Sequence, residues 1–195
     1  LIINKNKKQE ICVYSYEGKV YENVDYKRDS DIKAWVNIQY GCDKFCTYCI
    51  VPYTRGKQRS RKSCEIIKEI QDLKNKGYKE ITLLGQNVNA YGKELNNEIS
   101  FAELLQKVSD TGIERIRFVT SHPWDFTDEM IEVIAKNDNV MPYIHLPLQS
   151  GSSNILKLSL ISLLIIVSIN LKLLSSIFLL TILTTSSYLT VQPLP

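Results

Sequence analysis

The 195-residue sequence has no strong excess of either charge, since 24 Lys and Arg against 21 Asp and Glu leave a formal net charge of +3. So small a balance does not argue for nucleic-acid binding by itself, because attraction to phosphates depends on where the cations cluster. Glycine is scarce, with eight residues, which excludes a collagen-like chain. A hydrophobic content of 44% excludes disorder along the full length and suffices for one domain with a sizeable core. The cysteines are few and odd in number, five in all, and three of them, Cys42, Cys46 and Cys49, fall close together. That is unlike a secreted disulfide framework; a reducing, cytoplasmic compartment and a metal site fit better. Leu1 to Glu10 contain neither Met nor an apolar stretch long enough for a signal-peptide core, and the sequence reads as a piece of a longer one.

Charge is also missing from one end. All the acidic residues and all but one of the basic ones precede Ser159, whereas 159–195 carries only Lys172 amid Leu, Ile, Ser and Thr. Three readings of this hydrophobic tail compete. A shifted reading frame or other aberrant end fits the abrupt change to low complexity. A membrane anchor is permitted by the length of Leu160 to Leu180, although Asn170 and Lys172 would sit near its middle. A buried amphipathic helix is weakened by the β-branched and Ser/Thr content. No membrane contact is expected unless the tail is a genuine span, and the chain divides into 1–30, 31–158 and 159–195.

Between Ala34 and Leu158, β-rich runs alternate with amphipathic stretches, the pattern of βα units on a parallel sheet. Strands are expected over Ala34–Tyr40, Glu80–Leu84, Ile113–Thr120 and Tyr143–Leu146. Helices are expected over Ser63–Lys76, capped by Ser63 and closed by Gly77, over Ser100–Asp110, and over Thr127–Lys136, capped by Thr127, with a fourth opening at Ser152–Leu158. The fold class is therefore α/β. About four βα units form part of a barrel or open sheet, whose ligands gather at the carboxyl ends of the strands.

Directly after the first expected strand comes Gly41-Cys42-Asp43-Lys44-Phe45-Cys46-Thr47-Tyr48-Cys49, a C-x3-C-x2-C cluster. Such a loop can wrap a cubane, with each thiolate on a different iron and the fourth iron left without a protein ligand. The rival metal is a structural zinc, which wants four closed ligands and here has only Cys64 or His122 to complete it. Three ordinary thiols are the plainest alternative, made less attractive by their crowding on one glycine-led loop.

Cys42-x3-Cys46-x-Tyr48-Cys49 resembles the signature of the radical S-adenosylmethionine enzymes. The match extends through Trp35–Ile38, Phe45–Gly56, Arg59–Arg61, Leu83–Gly92, Thr120–Pro123 and His145–Ser152, which look like the methylthiotransferase branch. The tRNA-acting members of that branch are nearer than the relative acting on a ribosomal protein, and the resemblance covers about residues 30–158. It implies a partial radical S-adenosylmethionine barrel, with a 4Fe-4S cluster on Cys42, Cys46 and Cys49 that binds S-adenosylmethionine at its open iron. It also implies methylthiolation at C2 of an isopentenylated adenosine next to the anticodon. The implied partners are tRNA and an electron donor such as flavodoxin or ferredoxin. A second 4Fe-4S cluster is usual in the family, but 1–30 resembles only the end of the domain that carries it, and Cys12 matches none of its ligands. Alternatives are a non-enzymatic iron–sulfur or zinc RNA-binding fragment, or methylthiolation of a ribosomal protein or another modified adenosine.

In the terms of that resemblance, Tyr48 lies over the cofactor's adenine; as a side chain alone it reads equally as a half-buried loop tyrosine. Gly85 and Gln86 would meet the methionyl end, against a plain turn, because glycine permits close approach. Gln149 and Ser150 would bind ribose or the methionyl group, against simple capping of the next helix. Tyr53, Arg55, Arg59 and Arg61 form an aromatic and basic run suited to RNA, against a solvated charged face. Arg115 and Arg117, two residues apart, point to one face of their strand. His122 and His145 lie near strand ends and read as structural.

Overall fold

The computed structural model describes residues 28–147 together with the backbone of 2–4 and 9–11 and the isolated residues 20, 149, 150, 152, 154 and 172. Two short antiparallel strands, β1 (Ile2–Asn4) and β2 (Gln9–Ile11), pair with each other near the start. The main sheet is parallel and three-stranded, in the order β3 (Lys33–Asn37), β6 (Glu80–Leu84), β7 (Arg115–Phe118). Between β3 and β6 lie β4 (Gln39–Tyr40), α1 (Val51–Arg55), β5 (Arg59–Ser60) and α2 (Ser63–Asn75). α3 (Phe101–Asp110) leads into β7, and α4 (Asp128–Lys136) follows it.

Side-chain alternation divides the sheet into two unlike faces. Ala34 and Val36 stand beside Ile81 and Leu83, which stand beside Ile116 and Phe118, and all six are buried in the core. The helices cover this face through Ile66, Ile70 and Leu73 of α2, Phe101, Leu104, Leu105 and Val108 of α3, and Met130, Ile131 and Ile134 of α4. On the other face Trp35, Thr82 and Arg117 form one row, with Trp35 exposed, and Arg115 and Arg117 both pair with Glu80. That face shares a cavity of about 260 Å³ with Tyr143. The two arginines therefore do share a face, as their spacing predicts.

Several boundaries differ from the sequence expectation for local reasons. The first strand breaks after Asn37: Ile38 donates to Leu84 and accepts from Arg61, and the following Gln39–Tyr40 leaves the main sheet to pair with β5. Lys62, not Ser63, is the N-cap of α2 and makes no side-chain cap, and the backbone N–H of Ser63 is met instead by the distant Glu98 carboxylate at 3.4 Å. α3 carries a full capping box, Ser100 accepting from the Glu103 N–H while the Glu103 carboxylate accepts from Ser100. Thr127 holds the N-cap position of α4 but makes no side-chain cap. The fourth strand is not regular over Tyr143–Leu146. A single parallel bridge joins Ile116 to Val140, and His145 offers its carbonyl to the Ser121 N–H at 3.1 Å and its ring Nδ1 to the Thr120 N–H at 3.0 Å. The helix expected from Ser152 and the tail 159–195 lie outside the described residues, apart from Ser152, Asn154 and Lys172. Among the described residues no helix is long and apolar enough to cross a membrane.

Leu104 of α3 is fully buried in the core. Leu104→Ala is expected to lower unfolding stability by about 2–5 kcal/mol through lost burial and a residual cavity. Urea unfolding checks this, and a loss below about 0.5 kcal/mol would contradict the placement of α3 at the core.

Candidate functional site

The segments that follow β3, β6 and β7 all leave the same end of the parallel sheet, the end at which such folds place their chemistry. The first carries the cysteines. Its entry is set by backbone crowding: Gly41 has φ of 69°, and a Cβ there would lie 2.1 Å from the Lys57 carbonyl oxygen and 2.5 Å from that of Gly56. Only glycine fits both the conformation and the approach. The next residue, Cys42, donates its N–H to the Gly56 carbonyl at 3.2 Å, which ties the loop's start to its end.

The three thiols are free; Cys42 is buried, while Cys46 and Cys49 are partly accessible. Cys49 donates its N–H to the Cys46 carbonyl at 2.8 Å, so the last two are linked by a tight turn. Burial pushes the Cys42 thiol up, the Lys44 N–H offsets part of that, and charge on Cys46 and Cys49 raises it further. Burial likewise raises Cys46, followed by charge on Cys49. Tyr48 is half exposed and hydrogen-bonded to Cys46, and burial together with the two neighbouring cysteines pushes its hydroxyl up to about 12. Cys42 and Cys46, whose burial disfavours the thiolate, make poor bare thiolates and suit a cationic metal centre, which would reverse that resistance. Among the described residues no three His, Cys, Asp or Glu side chains converge closely enough for a single metal ion, and Cys64 is exposed on α2. A tetrahedral zinc requires such convergence, whereas thiolates on separate corners of a cubane do not.

A second set of residues, which sequence reasoning missed, holds these loops together. Asp125 lies in a short 3₁₀ turn, Pro123–Asp125, after β7 and is 3% exposed. It accepts from Lys44 of the cysteine loop at 2.9 Å, and from Asn87 and Lys93 of the segment after β6 at 2.7 and 2.6 Å. Burial pushes its carboxyl up, but the hydrogen bonds from Lys44, Lys93 and Asn87 outweigh that and hold it below the usual carboxylate range. Lys44 also stands over the Trp124 ring, 5.8 Å from its centroid. Neighbouring Asn89 grips the backbone of His122 twice, donating to its carbonyl at 2.7 Å and accepting from its N–H at 2.9 Å. Thr120, a β-branched residue at φ of 67°, donates to the His145 ring and accepts from Val88, so the strained turn is held on both sides.

The expected ligand-binding residues fall into three groups. Gly85 and Gln86 directly follow β6; a Cβ on Gly85 would lie 3.2 Å from the Gln39 side chain, so the glycine admits that neighbour. Around these strand ends Gln39, Asn87 and Ser121 are buried and Gln86 is partly so, yet among the described residues both amide atoms of Gln39, the side-chain carbonyl oxygens of Gln86 and Asn87, and the Ser121 hydroxyl have no hydrogen-bond partner. Unmet polar atoms of this kind suit a polar ligand. Gln149 is exposed, and the Ser150 hydroxyl accepts from the Ser152 N–H at 3.1 Å. Tyr53 is exposed and packs edge-on against Phe45, and Arg55 is exposed at the end of α1. Arg59 is partly buried and folds back to the Lys57 and Arg55 carbonyls. Arg61 departs from expectation: it is 3% exposed and donates to the Asn37 carbonyl and Glu69, so it braces β3 against α2 and is withdrawn from any RNA-facing surface.

A family model described as the Radical SAM superfamily matches residues 36–160. The chain belongs to that superfamily. Curated relatives from Staphylococcus aureus strains JH9 and NCTC 8325, both named tRNA-2-methylthio-N(6)-dimethylallyladenosine synthase, are 58% identical over 154 residues, 78% of this chain and 30% of each relative. The chain thus spans about a third of their length. Two solved structures of the radical S-adenosylmethionine methyltransferase TsrM from Kitasatospora setae share its fold at 16% identity. One superposes with a TM-score of 0.53 over 71% of this chain and 27% of that one, the other with 0.51 over 63% and 23%. Radical S-adenosylmethionine enzymes use a 4Fe-4S cluster and S-adenosylmethionine, and the grouped thiols and unmet polar atoms at the strand ends fit that pair.

Asp125→Asn is expected to cost about 1–3 kcal/mol at neutral pH by weakening one buried contact and two part-buried ones. The folded carboxyl titrates below its unfolded value near ~3.9, so its contribution is full above that pH and is lost as pH falls through the folded value. Urea unfolding should therefore show the gap between the wild-type and variant proteins narrowing only below about pH 4; a gap unchanged at pH 3 would contradict the pairing.

Proposed function

We propose that the chain carries the radical core of a tRNA methylthiotransferase acting at C2 of N6-isopentenyladenosine next to the anticodon. The observation that carries this reading is the 58% identity over 154 residues to proteins named for that product. Residues 31–158 form the core in this reading, 1–30 the remnant of an N-terminal methylthiotransferase domain, and 159–195 an aberrant tail. Its setting is the cytoplasm, its partners tRNA and a flavodoxin- or ferredoxin-like electron donor.

Cys42, Cys46 and Cys49 would hold the cluster through their thiolates and would leave room beside it for S-adenosylmethionine. Bound together, the two groups supply one-electron reductive cleavage of a sulfonium. This chain's own residues orient them and keep water out. Tyr48 offers its ring to the adenine, and Gly85 and Gln86 approach the methionyl end. Gln149 and the remaining hydroxyl proton of Ser150 serve the ribose. Asp125 ties Lys44 of the cysteine loop to Lys93 at the base of the site, a cluster that keeps one net positive charge there. Tyr53 with the exposed Phe45 and Trp124 gives aromatic faces for an unstacked base, and Arg55 and Arg59 lie beside them for phosphates. Arg61 has no part in that contact.

Anaerobic reconstitution with iron and sulfide, followed by dithionite and S-adenosylmethionine, tests the reading. About four irons per chain and release of 5′-deoxyadenosine with methionine are expected, and Cys42→Ala, Cys46→Ala and Cys49→Ala should each abolish both. Stoichiometric zinc without iron, or an intact cluster in any of the three variants, would overturn it.

A further inference from the structure

We propose that His122 is a positioning residue for the cysteine loop, whose ring Nε2–H donates a hydrogen bond to the sulfur of Cys46 and raises the reduction potential of the cluster held there. The cluster half of this statement rests on the assignment of Cys46 as a ligand; the hydrogen bond itself does not.

The geometry identifies which ring nitrogen carries the proton. His122 Nε2 lies 3.8 Å from Cys46 Sγ. On the other side of the ring, the backbone N–H of Trp124 points to His122 Nδ1 at 3.3 Å. A backbone amide can only donate, so Nδ1 must offer its lone pair, and a neutral imidazole then carries its single hydrogen on Nε2. The hydrogen therefore faces the sulfur. The same reasoning removes His122 from the candidates for a metal ligand through Nε2, because a ligating histidine keeps that lone pair free and donates from the opposite nitrogen.

The ring is held in this pose from several directions. Asn89 fixes the residue's backbone through both its N–H and its carbonyl. The Trp124 ring packs edge-on against the imidazole, with centroids 5.5 Å apart and planes at 75°. Asp125, in the same turn, is tied to Lys44, which sits between Cys42 and Cys46. The sulfur and the donor thus move together, tethered through one ion pair. A hydrogen bond to a ligating sulfur draws electron density from it and favours the reduced cluster, which raises its potential.

Two measurements test the proposal. In metal-free protein labelled with 15N-histidine, long-range 1H–15N correlation at neutral pH should show His122 protonated at Nε2, with that resonance shifting in Cys46→Ala. In reconstituted protein, optical titration with dithionite should give a lower midpoint potential for His122→Phe at unchanged iron content, with part of the loss restored by His122→Gln, whose amide keeps a donor. A proton on Nδ1, no response to Cys46→Ala, or a midpoint in His122→Phe equal to that of the wild type would overturn it. So would loss of iron from both variants, which would make His122 a ligand. Failure of the wild-type protein to assemble any cluster would instead remove the functional reading, while the tautomer measurement would still decide the hydrogen bond.

Discussion

A single buried carboxylate holds the working end of this molecule together. The parallel sheet delivers three connecting segments to one end, but nothing in a parallel sheet fixes how those segments sit relative to one another. Asp125 does so by accepting from Lys44, Asn87 and Lys93, one partner in the cysteine loop and two in the segment after β6. Charge-assisted bonds of this kind are short and directional, and burial makes each one costly to leave unmet. The arrangement of Cys42, Cys46 and Cys49 is therefore a property of all three loops and not of the C-x3-C-x2-C segment alone.

That dependence explains how a largely exposed loop can present a defined chemistry. Phe45, Tyr48 and Ile50 are each more than half exposed, so burial does not immobilise this segment. Its order comes from the close approach of Gly41 to Gly56 and Lys57, the Cys49–Cys46 turn, and the pull of Lys44 toward Asp125. Cys46 and Cys49 held this way stay partly accessible, while Lys44 shares the Asp125 carboxylate with Lys93. Two of the positive-φ non-glycine residues lie at the site, Phe45 inside the cysteine loop and Thr120 in the turn after β7.

Much of the fold was legible in the sequence because it is local. The Glu80–Leu84 strand and the Phe101–Asp110 helix follow from composition and periodicity within a dozen residues, although the caps did not: Ser63 and Thr127, expected to cap, make no side-chain cap, and the capping box at Ser100 and Glu103 was not anticipated. The cysteine spacing and the family motifs pointed to the candidate site for the same reason. What escaped were partnerships across the chain. Nothing near Asp125 announces that its partners lie at 44, 87 and 93, and nothing near Ser63 indicates that its N–H is met by Glu98. Arg61 was misread because it sits in a basic run whose other members are more exposed, and only the distant Glu69 and Asn37 carbonyl reveal its bracing role. The fourth strand failed because its β-rich residues, Tyr143–Leu146, come after the point of contact, the Val140 bridge.

The central claim is that three sulfurs hold a cluster with one corner open to S-adenosylmethionine. Electron paramagnetic resonance of the reduced, reconstituted protein before and after addition of S-adenosylmethionine tests it most directly, because a ligand arriving on the open iron changes the electronic symmetry of the cluster. The account predicts a signal whose shape changes on addition. A signal identical with and without S-adenosylmethionine would show that no iron is free to receive it.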